Sequence, residues 1–169
     1  MATGPWAGDQ SAGDWYVLHT KPRQEKAVAQ FLAGQQIAHF LPLIEQVRFY
    51  GRRKARVALP LFPGYVFLRG TREQAFEADR QKRLAQIIPV ADQARLDCEL
   101  ANIHLALQQR AELEPHPYLK EGIRAEVRAG PMRGLQGVIQ QRKRPDRLIL
   151  QVDMLGQAVS LEVDGALLD

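Results

Sequence analysis

The chain has 169 residues, 46% of them hydrophobic and 25% charged, with 23 lysines and arginines against 19 aspartates and glutamates. This is the composition of an ordinary globular protein of one or two small domains, and no apolar run approaches the ~20 residues that a membrane-spanning helix needs. The first residues lack the basic start and apolar middle of a secretory signal, so we expect a cytoplasmic protein with no membrane partner.

Residues 1–14 are mainly glycine, alanine and polar residues, which predicts a disordered tail. The aromatic run at Trp15–Thr20 then favours a strand, and Pro22 suits the first turn of a following helix. Further along, Leu96, Leu100, Ile103 and Leu107 recur at helical spacing, which predicts a core-facing helix from Asp92 to about Ala111. Between them we expect a strand at Ile37–Leu43, a hairpin over Glu45–Leu59, a strand at Tyr65–Leu68, a helix near Glu73–Asp79 and a strand at Leu84–Ile88.

The last third of the chain has a different period. Residues 112–121 combine two prolines with mixed charge and predict a linker. Apolar and polar residues then alternate over 148–154 and 159–163, on either side of a turn at Leu155-Gly156, as they do in strands. With strands also expected at Ile123–Val127 and Gly137–Arg142, residues 122–169 predict a small β-barrel. The fold class is therefore predicted as α+β: an antiparallel sheet flanked by helices over residues 15–111, then the barrel.

Residue types that carry catalysis or bind metals are few and scattered. The chain has two serines, and none of its four histidines lies at a metal-ligand spacing from another histidine or from Cys98. No phosphate-binding loop, dinucleotide fingerprint or paired-carboxylate motif is visible. We therefore expect a protein that is not an enzyme and has no cofactor or metal, with each histidine in a surface or half-buried polar role. Cys98 is expected to act as a small apolar residue on a helix.

The positive charge is concentrated in the first part of the chain. Residues 1–60 hold eight basic and four acidic side chains, which accounts for the whole net charge of +4. Four of the eight lie at the expected hairpin tip, in the sequence "GRRKAR" from Gly51. Such a cluster fits a phosphate-facing patch, and a solvated basic surface is the alternative.

The segment "LFPGYVFL" from Leu61 is rich in aromatic residues, and its rings could either fill a core or stay exposed to a partner. Successive strand residues point to opposite sides of a sheet, so alternate members from Tyr65 to Leu68 should point away from the core. An aromatic face left open in this way would be a recognition patch. The alternative is that a helix of the same domain covers the second face as well.

Several of these phrases together resemble a known family. The segments "WYVLHTKPRQE" from Trp15, "FLPL" from Phe40, "GRRKAR" and "PLFPGYVFL" are similar to the N-terminal domain of NusG transcription elongation factors. The segment "VRAGPMRGLQGVI" from Val127 resembles the KOW motif, which begins the SH3-like barrel of that family. The phrase "TKPRQE" is closer to the operon-specialised, RfaH-like paralogues than to housekeeping NusG.

The resemblance implies a monomeric transcription factor that binds RNA polymerase and promotes processive elongation or antitermination. In the family, an aromatic surface docks on the clamp helices of the largest polymerase subunits. The positions that match that surface are Tyr16, His19, Phe62, Pro63, Tyr65 and Phe67.

The resemblance also implies contacts with non-template DNA and with a partner of the barrel. Cations can neutralise phosphates and glutamine can read a base edge. The positions that match the contact with non-template DNA are Lys21, Arg23 and Gln24. The hairpin cations would add a salt-sensitive contact to upstream DNA or to polymerase, and they complete the predicted DNA-binding set: Arg52, Arg53, Lys54 and Arg56.

The barrel would recruit the ribosome or the termination factor Rho through Met132 and Leu135. Period-two spacing over 148–163 predicts a constitutive barrel and no helical alternative. A second function stays open at this point: a ribosome- or RNA-associated KOW protein whose basic hairpin binds RNA directly.

Overall fold

The computed structural model describes residues 2–3, 13–140 and 146–169. The chain forms two compact units, residues 1–94 and residues 95–169. In the described ranges, no helix is long and apolar enough to cross a membrane. The tail expected over residues 1–14 lies mostly outside the described residues, but Ala2–Thr3 forms a short strand, β1, that pairs with Leu41 and Pro42.

The first unit is built on a six-stranded sheet in the order β1-β3-β5-β2-β6, with β4 paired to β3. All its pairings are antiparallel, as the sequence predicted. Its remaining strands and two helices are β2 (Asp14–Thr20), α1 (Glu25–Gly34), β3 (His39–Tyr50), β4 (Arg53–Pro60), β5 (Tyr65–Gly70), α2 (Arg72–Glu77) and β6 (Leu84–Pro89).

One side of this sheet packs against α1 and α2 and forms the main apolar core. Leu18 of β2 and Val66 of β5 are directly paired and fully buried, and Leu32 of α1 packs into the same cluster. Burying each such side chain contributes about 1.5–3 kcal/mol. The helix α2 is fixed at its start by a capping box, in which Thr71 and Gln74 each accept a hydrogen bond from the other's backbone N–H.

His39 departs from the expectation of a surface or half-buried role. It is buried on β3, and its Nδ1 lies 2.9 Å from the Ile37 carbonyl oxygen. Burial lowers the pKa of His39 below its usual 6.5, because an apolar setting disfavours the charged imidazolium, and the Ile37 contact opposes this in part.

The second unit contains most of α3 (Gln93–Gln108) and a five-stranded antiparallel sheet in the order β7-β11-β10-β9-β8. Its strands are β7 (Glu114–His116), β8 (Ile123–Glu126), β9 (Gln136–Ile139), β10 (Arg147–Val152) and β11 (Gln157–Glu162). The expected linker thus contains a strand, β7, which pairs with β11. The predicted strands of the last third are present, although part of Gly137–Arg142 lies outside the described residues.

The end of the chain adds to the far edge of this sheet. Val127 forms a bridge with Leu168, the Arg128 amide donates to the Leu167 carbonyl at 2.9 Å, and Asp169 donates to Glu126 at 3.0 Å. These bonds satisfy backbone groups that an edge strand would otherwise expose.

Polar contacts hold α3 against the sheet of the second unit. Arg95 pairs with the Asp153 carboxylate, and a Glu99 oxygen accepts from the Asp153 amide at 3.0 Å. One turn further along, the Asn102 side-chain oxygen accepts from the Gln136 amide at 2.9 Å. Cys98 lies on α3, as predicted, and it is exposed. The domain limits 15–111 and 122–169 stay predictions.

Candidate functional site

The second face of the first sheet carries a row of cross-strand pairs between β2 and β5. Trp15 lies opposite Arg69, Val17 opposite Phe67, and His19 opposite Tyr65. Because directly opposite residues of an antiparallel pair share a face, these six side chains point to the same side. The Arg69 guanidinium lies 5.5 Å from the Trp15 ring, and the His19 and Tyr65 rings stack with centroids 5.0 Å apart.

Three phenylalanines form a contiguous aromatic cluster on this face. The Phe67 ring meets Phe62 edge-on and Phe40 at a tilt, with centroids 6.4 Å apart in both cases. Phe67 is 0% exposed and Phe62 is 2% exposed. The expectation that these two rings stay open to solvent is therefore wrong, because both rings are buried and pack on each other. Their assignment to polymerase binding stays a prediction.

Tyr16 lies on the opposite face from His19 and Tyr65. It is paired with Leu68 and packs, half-buried, against the apolar core beneath α1 and α2. The structure therefore does not bring the predicted docking residues together on one surface. His19 and Tyr65 are half-buried and Pro63 is exposed, and these three lie close to one another at one end of the sheet.

The turn that follows β2 is fixed by backbone hydrogen bonds. The Thr20 amide donates to the Gly64 carbonyl and the Lys21 amide to the Arg83 carbonyl, both at 2.8 Å. A third bond joins Gln24 to the Lys21 carbonyl at 3.2 Å. These contacts place the turn next to the loop that precedes Tyr65.

The predicted DNA-binding residues of this turn differ in how free they are. Lys21 and Arg23 are exposed, and Arg23 has a positive φ of 62°. Gln24 is half-buried, and its side-chain oxygen accepts a hydrogen bond from Arg83. The amide nitrogen of Gln24 is therefore the group left for a ligand, and Arg83 is a neighbouring cation that the sequence did not single out. We call His19, Lys21, Arg23, Pro63 and Tyr65 the exposed corner.

The remaining predicted DNA-binding residues lie on the β3–β4 hairpin. Its strands pair from Leu43 with Pro60 to Tyr50 with Arg53, and Gly51 takes a φ of 64° at the turn. The hairpin cations Arg52, Arg53, Lys54 and Arg56 are all exposed. This hairpin also exposes Phe49 and Tyr50, which the sequence analysis did not select.

The predicted partner residues of the second unit lie in a tight turn between β8 and β9. Gly130 and Gly134 have φ values of 90° and 91°, and Gly134 donates to the Val127 carbonyl at 2.8 Å. Leu135 is fully buried, whereas Met132 is half-buried. Of the two, Met132 is the residue whose side chain a partner could reach without rearrangement.

Among the described residues, no group of three or more His, Cys, Asp or Glu side chains is placed to hold a metal ion. The candidate site of the first unit is instead an arrangement for binding: a corner with two cations and two stacked rings, and a cationic hairpin.

A family profile described as "Transcription termination factor nusG" matches residues 13–94. Residues 13–94, just under half of the chain, are therefore similar to the NusG family. A solved structure titled "Domain interaction in Thermotoga maritima NusG" is similar at 18% identity and a TM-score of 0.47, covering 94% of this chain and 97% of that chain. No curated protein matches the chain.

The matched segment contains both the exposed corner and the cationic hairpin. It ends where the first compact unit ends, at residue 94. The glycine-rich turn that resembles a KOW motif lies beyond this match.

Proposed function

We propose that the chain is a transcription elongation factor that binds RNA polymerase and promotes processive elongation or antitermination, as a specialised NusG paralogue without enzymatic activity. The observation that carries this proposal is the match of residues 13–94 to the NusG family. The phrase "TKPRQE" at Thr20–Glu25 supports the specialised role. The clamp helices of the largest polymerase subunits are the docking partner.

The exposed corner is the docking surface in this proposal. Tyr65 and His19 offer stacked rings with solvent access, and Pro63 is exposed beside them. Partly accessible tyrosines are frequent energetic centres of protein interfaces. Phe62 and Phe67 act as the packed support beneath Tyr65, since their rings are buried.

Retention by immobilised RNA polymerase tests this surface. Tyr65→Ala should lose retention, because it removes the ring that stacks on His19. Tyr50→Ala is the matched control, since Tyr50 is exposed on the hairpin and away from the corner. Equal retention of Tyr65→Ala and wild type would contradict the corner as the docking surface. Retention by ribosomes in place of polymerase would favour the ribosome-associated alternative.

DNA contact belongs to the same proposal. Lys21 and Arg23 are exposed beside the docking surface, where they could neutralise phosphates of a non-template strand. Replacing either by glutamine should lower the salt dependence of binding to a transcription bubble by about one counterion. An unchanged salt dependence in both variants would remove this contact from the proposal.

The second unit is proposed to be an SH3-like, KOW-type barrel that engages the ribosome or Rho. The antiparallel order β7-β11-β10-β9-β8 and the pairing of Leu168 with Val127 support it. Met132→Ala should weaken binding to that partner without changing retention by polymerase. A loss of polymerase retention instead would contradict the assignment of Met132 to the ribosome- or Rho-binding surface.

A further inference from the structure

The outer half of the β3–β4 hairpin is exposed on both of its faces. From Glu45 to Tyr50 every residue of β3 is exposed, whereas His39 to Leu43 are buried in the sheet. Three apolar side chains stand out, since Phe49 is 70%, Tyr50 59% and Val47 47% exposed. A ribbon with both faces in solvent has no core of its own to fill, so core packing does not account for these rings.

The strand register divides the ribbon into two faces with the same chemistry. On one face Phe49 lies opposite Lys54, and Val47 lies opposite Arg56. On the other face Tyr50 lies opposite Arg53. Directly opposite side chains have Cβ atoms about 4.5–5.5 Å apart, so each ring has a cation beside it.

Beyond Glu45, the charge of the ribbon is entirely positive. Residues 46–60 contain five lysines and arginines and no aspartate or glutamate. A ligand that fits the ribbon is therefore an anion, and it must also offer a flat apolar surface to rings spaced along the strands. Unpaired nucleotides have both properties, a phosphate for each cation and a base for each ring.

Other anionic partners fit this pattern less well. Protein interfaces place clustered apolar residues at their centre and are depleted in lysine there, whereas each ring here has a cation as its cross-strand neighbour. In a duplex the bases are stacked and the faces that a ring needs are hidden, so a duplex could use only the cations. A phenyl ring also lacks the hydrogen-bonding groups that read base edges in a groove.

We propose that the outer hairpin binds single-stranded nucleic acid, with Phe49 and Tyr50 stacking on unpaired bases while the flanking cations neutralise phosphates. This inference deepens the proposed function and rests on it, because an elongating polymerase holds an unpaired strand. It assigns to Phe49 and Tyr50 a role in the choice of single strand over duplex.

Fluorescence anisotropy of the full-length protein with a labelled, mixed-sequence oligonucleotide tests the proposal, with the annealed duplex measured in the same buffer. Wild type should bind the single strand more tightly than the duplex. Phe49→Ala should weaken single-strand binding by about fivefold or more, the loss of one base–aromatic contact. Phe49→Tyr should retain binding and Phe49→Leu should not, because only the former keeps a ring.

Two controls separate stacking from charge and from general exposure. Phe76→Ala removes another exposed phenyl ring, on α2 with Arg72 lying over it, and should leave binding unchanged. Arg56→Gln should lower the slope of affinity against salt by about 0.7 for single strands. Duplex binding as tight as single-strand binding, or Phe49→Leu binding as well as Phe49→Tyr, would overturn the inference.

Retention by RNA polymerase, measured on the same variants, keeps this result apart from the proposed function. Phe49→Ala should be retained as wild type is, because the exposed corner is unchanged. Normal polymerase retention without single-strand preference would overturn the hairpin inference alone. Failure of wild type to bind polymerase would overturn the proposed function, whatever the oligonucleotide result.

Discussion

Aromatic rings on strands of the same sheet have opposite surroundings in this molecule. Phe67 lies on β5, which is flanked by β3 and β2, and its ring is fully buried against Phe40 and Phe62. Phe49 lies on the outer half of β3, which pairs there with β4 alone, and its ring is 70% exposed. Strand periodicity determines the side to which each ring points, whereas the flanking strands and the groups covering that side determine its burial.

The comparison changes how the aromatic phrase at residues 61–68 is interpreted. Its rings were expected to form an open recognition patch, but Phe62 and Phe67 support the sheet, and only Tyr65 keeps solvent access. Among the residues that the structure describes, the two most exposed rings, Phe49 and Tyr50, belong to the hairpin. Accessible aromatic rings thus lie at the His19–Tyr65 stack, along the hairpin and at Phe76 of α2.

The largest expected effect comes from removing a buried ring. Phe67→Ala should lower the free energy of unfolding by about 3–5 kcal/mol, because it leaves a cavity beside Phe40 and Phe62. Phe49→Ala, the matched change at an exposed position, should alter it by no more than about 0.5 kcal/mol. Urea unfolding followed by circular dichroism measures both. Similar losses in the two variants would contradict the contrast between buried and exposed rings.

The next effect concerns the buried imidazole of His39. Its pKa is lowered by burial, so the unfolded chain binds a proton at a pH where the folded chain does not. The stability contributed by neutral His39 should therefore be fully present above pH 6.5. The free energy of unfolding should then fall as the pH drops from 6.5 through the lowered pKa of His39. His39→Leu should show a smaller loss over the same range, measured by urea unfolding at several pH values. A variant with the same pH dependence as wild type would exclude His39 as its source.

Much of the fold could be predicted because its signals are local. Helical spacing predicted α3, period-two alternation predicted β10 and β11, and the basic run predicted the hairpin. Strand β7 was missed because Pro115 and mixed charge are typical of a linker, and it forms an edge strand through pairing with β11, which is distant in sequence.

The candidate site was less predictable because it depends on which strands are neighbours. The stack of His19 on Tyr65 follows from the register of β2 and β5, and the sequence does not specify this register. One available signal was not used. Phe49 and Tyr50 are adjacent and directly precede the turn at Gly51, so they point to opposite sides where one sheet face cannot bury both.

A smaller effect should follow from replacing the turn glycine of the hairpin. Gly51 has a positive φ, a backbone conformation that alanine adopts only at a cost. A methyl group on its Cα would meet no neighbouring atom, so Gly51→Ala should destabilise through backbone strain and not through a steric clash. We expect a loss of about 1–2 kcal/mol, seen as faster amide hydrogen exchange along β4. Gly34→Ala, in α1 with equally open space, should instead stabilise by up to about 1 kcal/mol. A gain at both positions would contradict the turn geometry.

The smallest expected effect concerns His19 and Tyr65, whose rings are half-buried and so intermediate in exposure between Phe67 and Phe49. Their stacked rings should be coupled by about 0.5–1 kcal/mol in a double-mutant cycle of His19→Ala and Tyr65→Ala, measured by urea unfolding. A matched cycle of His19→Ala with Tyr50→Ala should show no coupling, since Tyr50 lies on the hairpin. If polymerase binds the two stacked rings together, the same double-mutant cycle measured by polymerase retention should also be non-additive. Removal of either ring changes the surface that the other ring presents to polymerase. Additive losses in the first cycle would mean that the two rings act independently, and the exposed corner would then lack the rigid aromatic pair on which its proposed docking role depends.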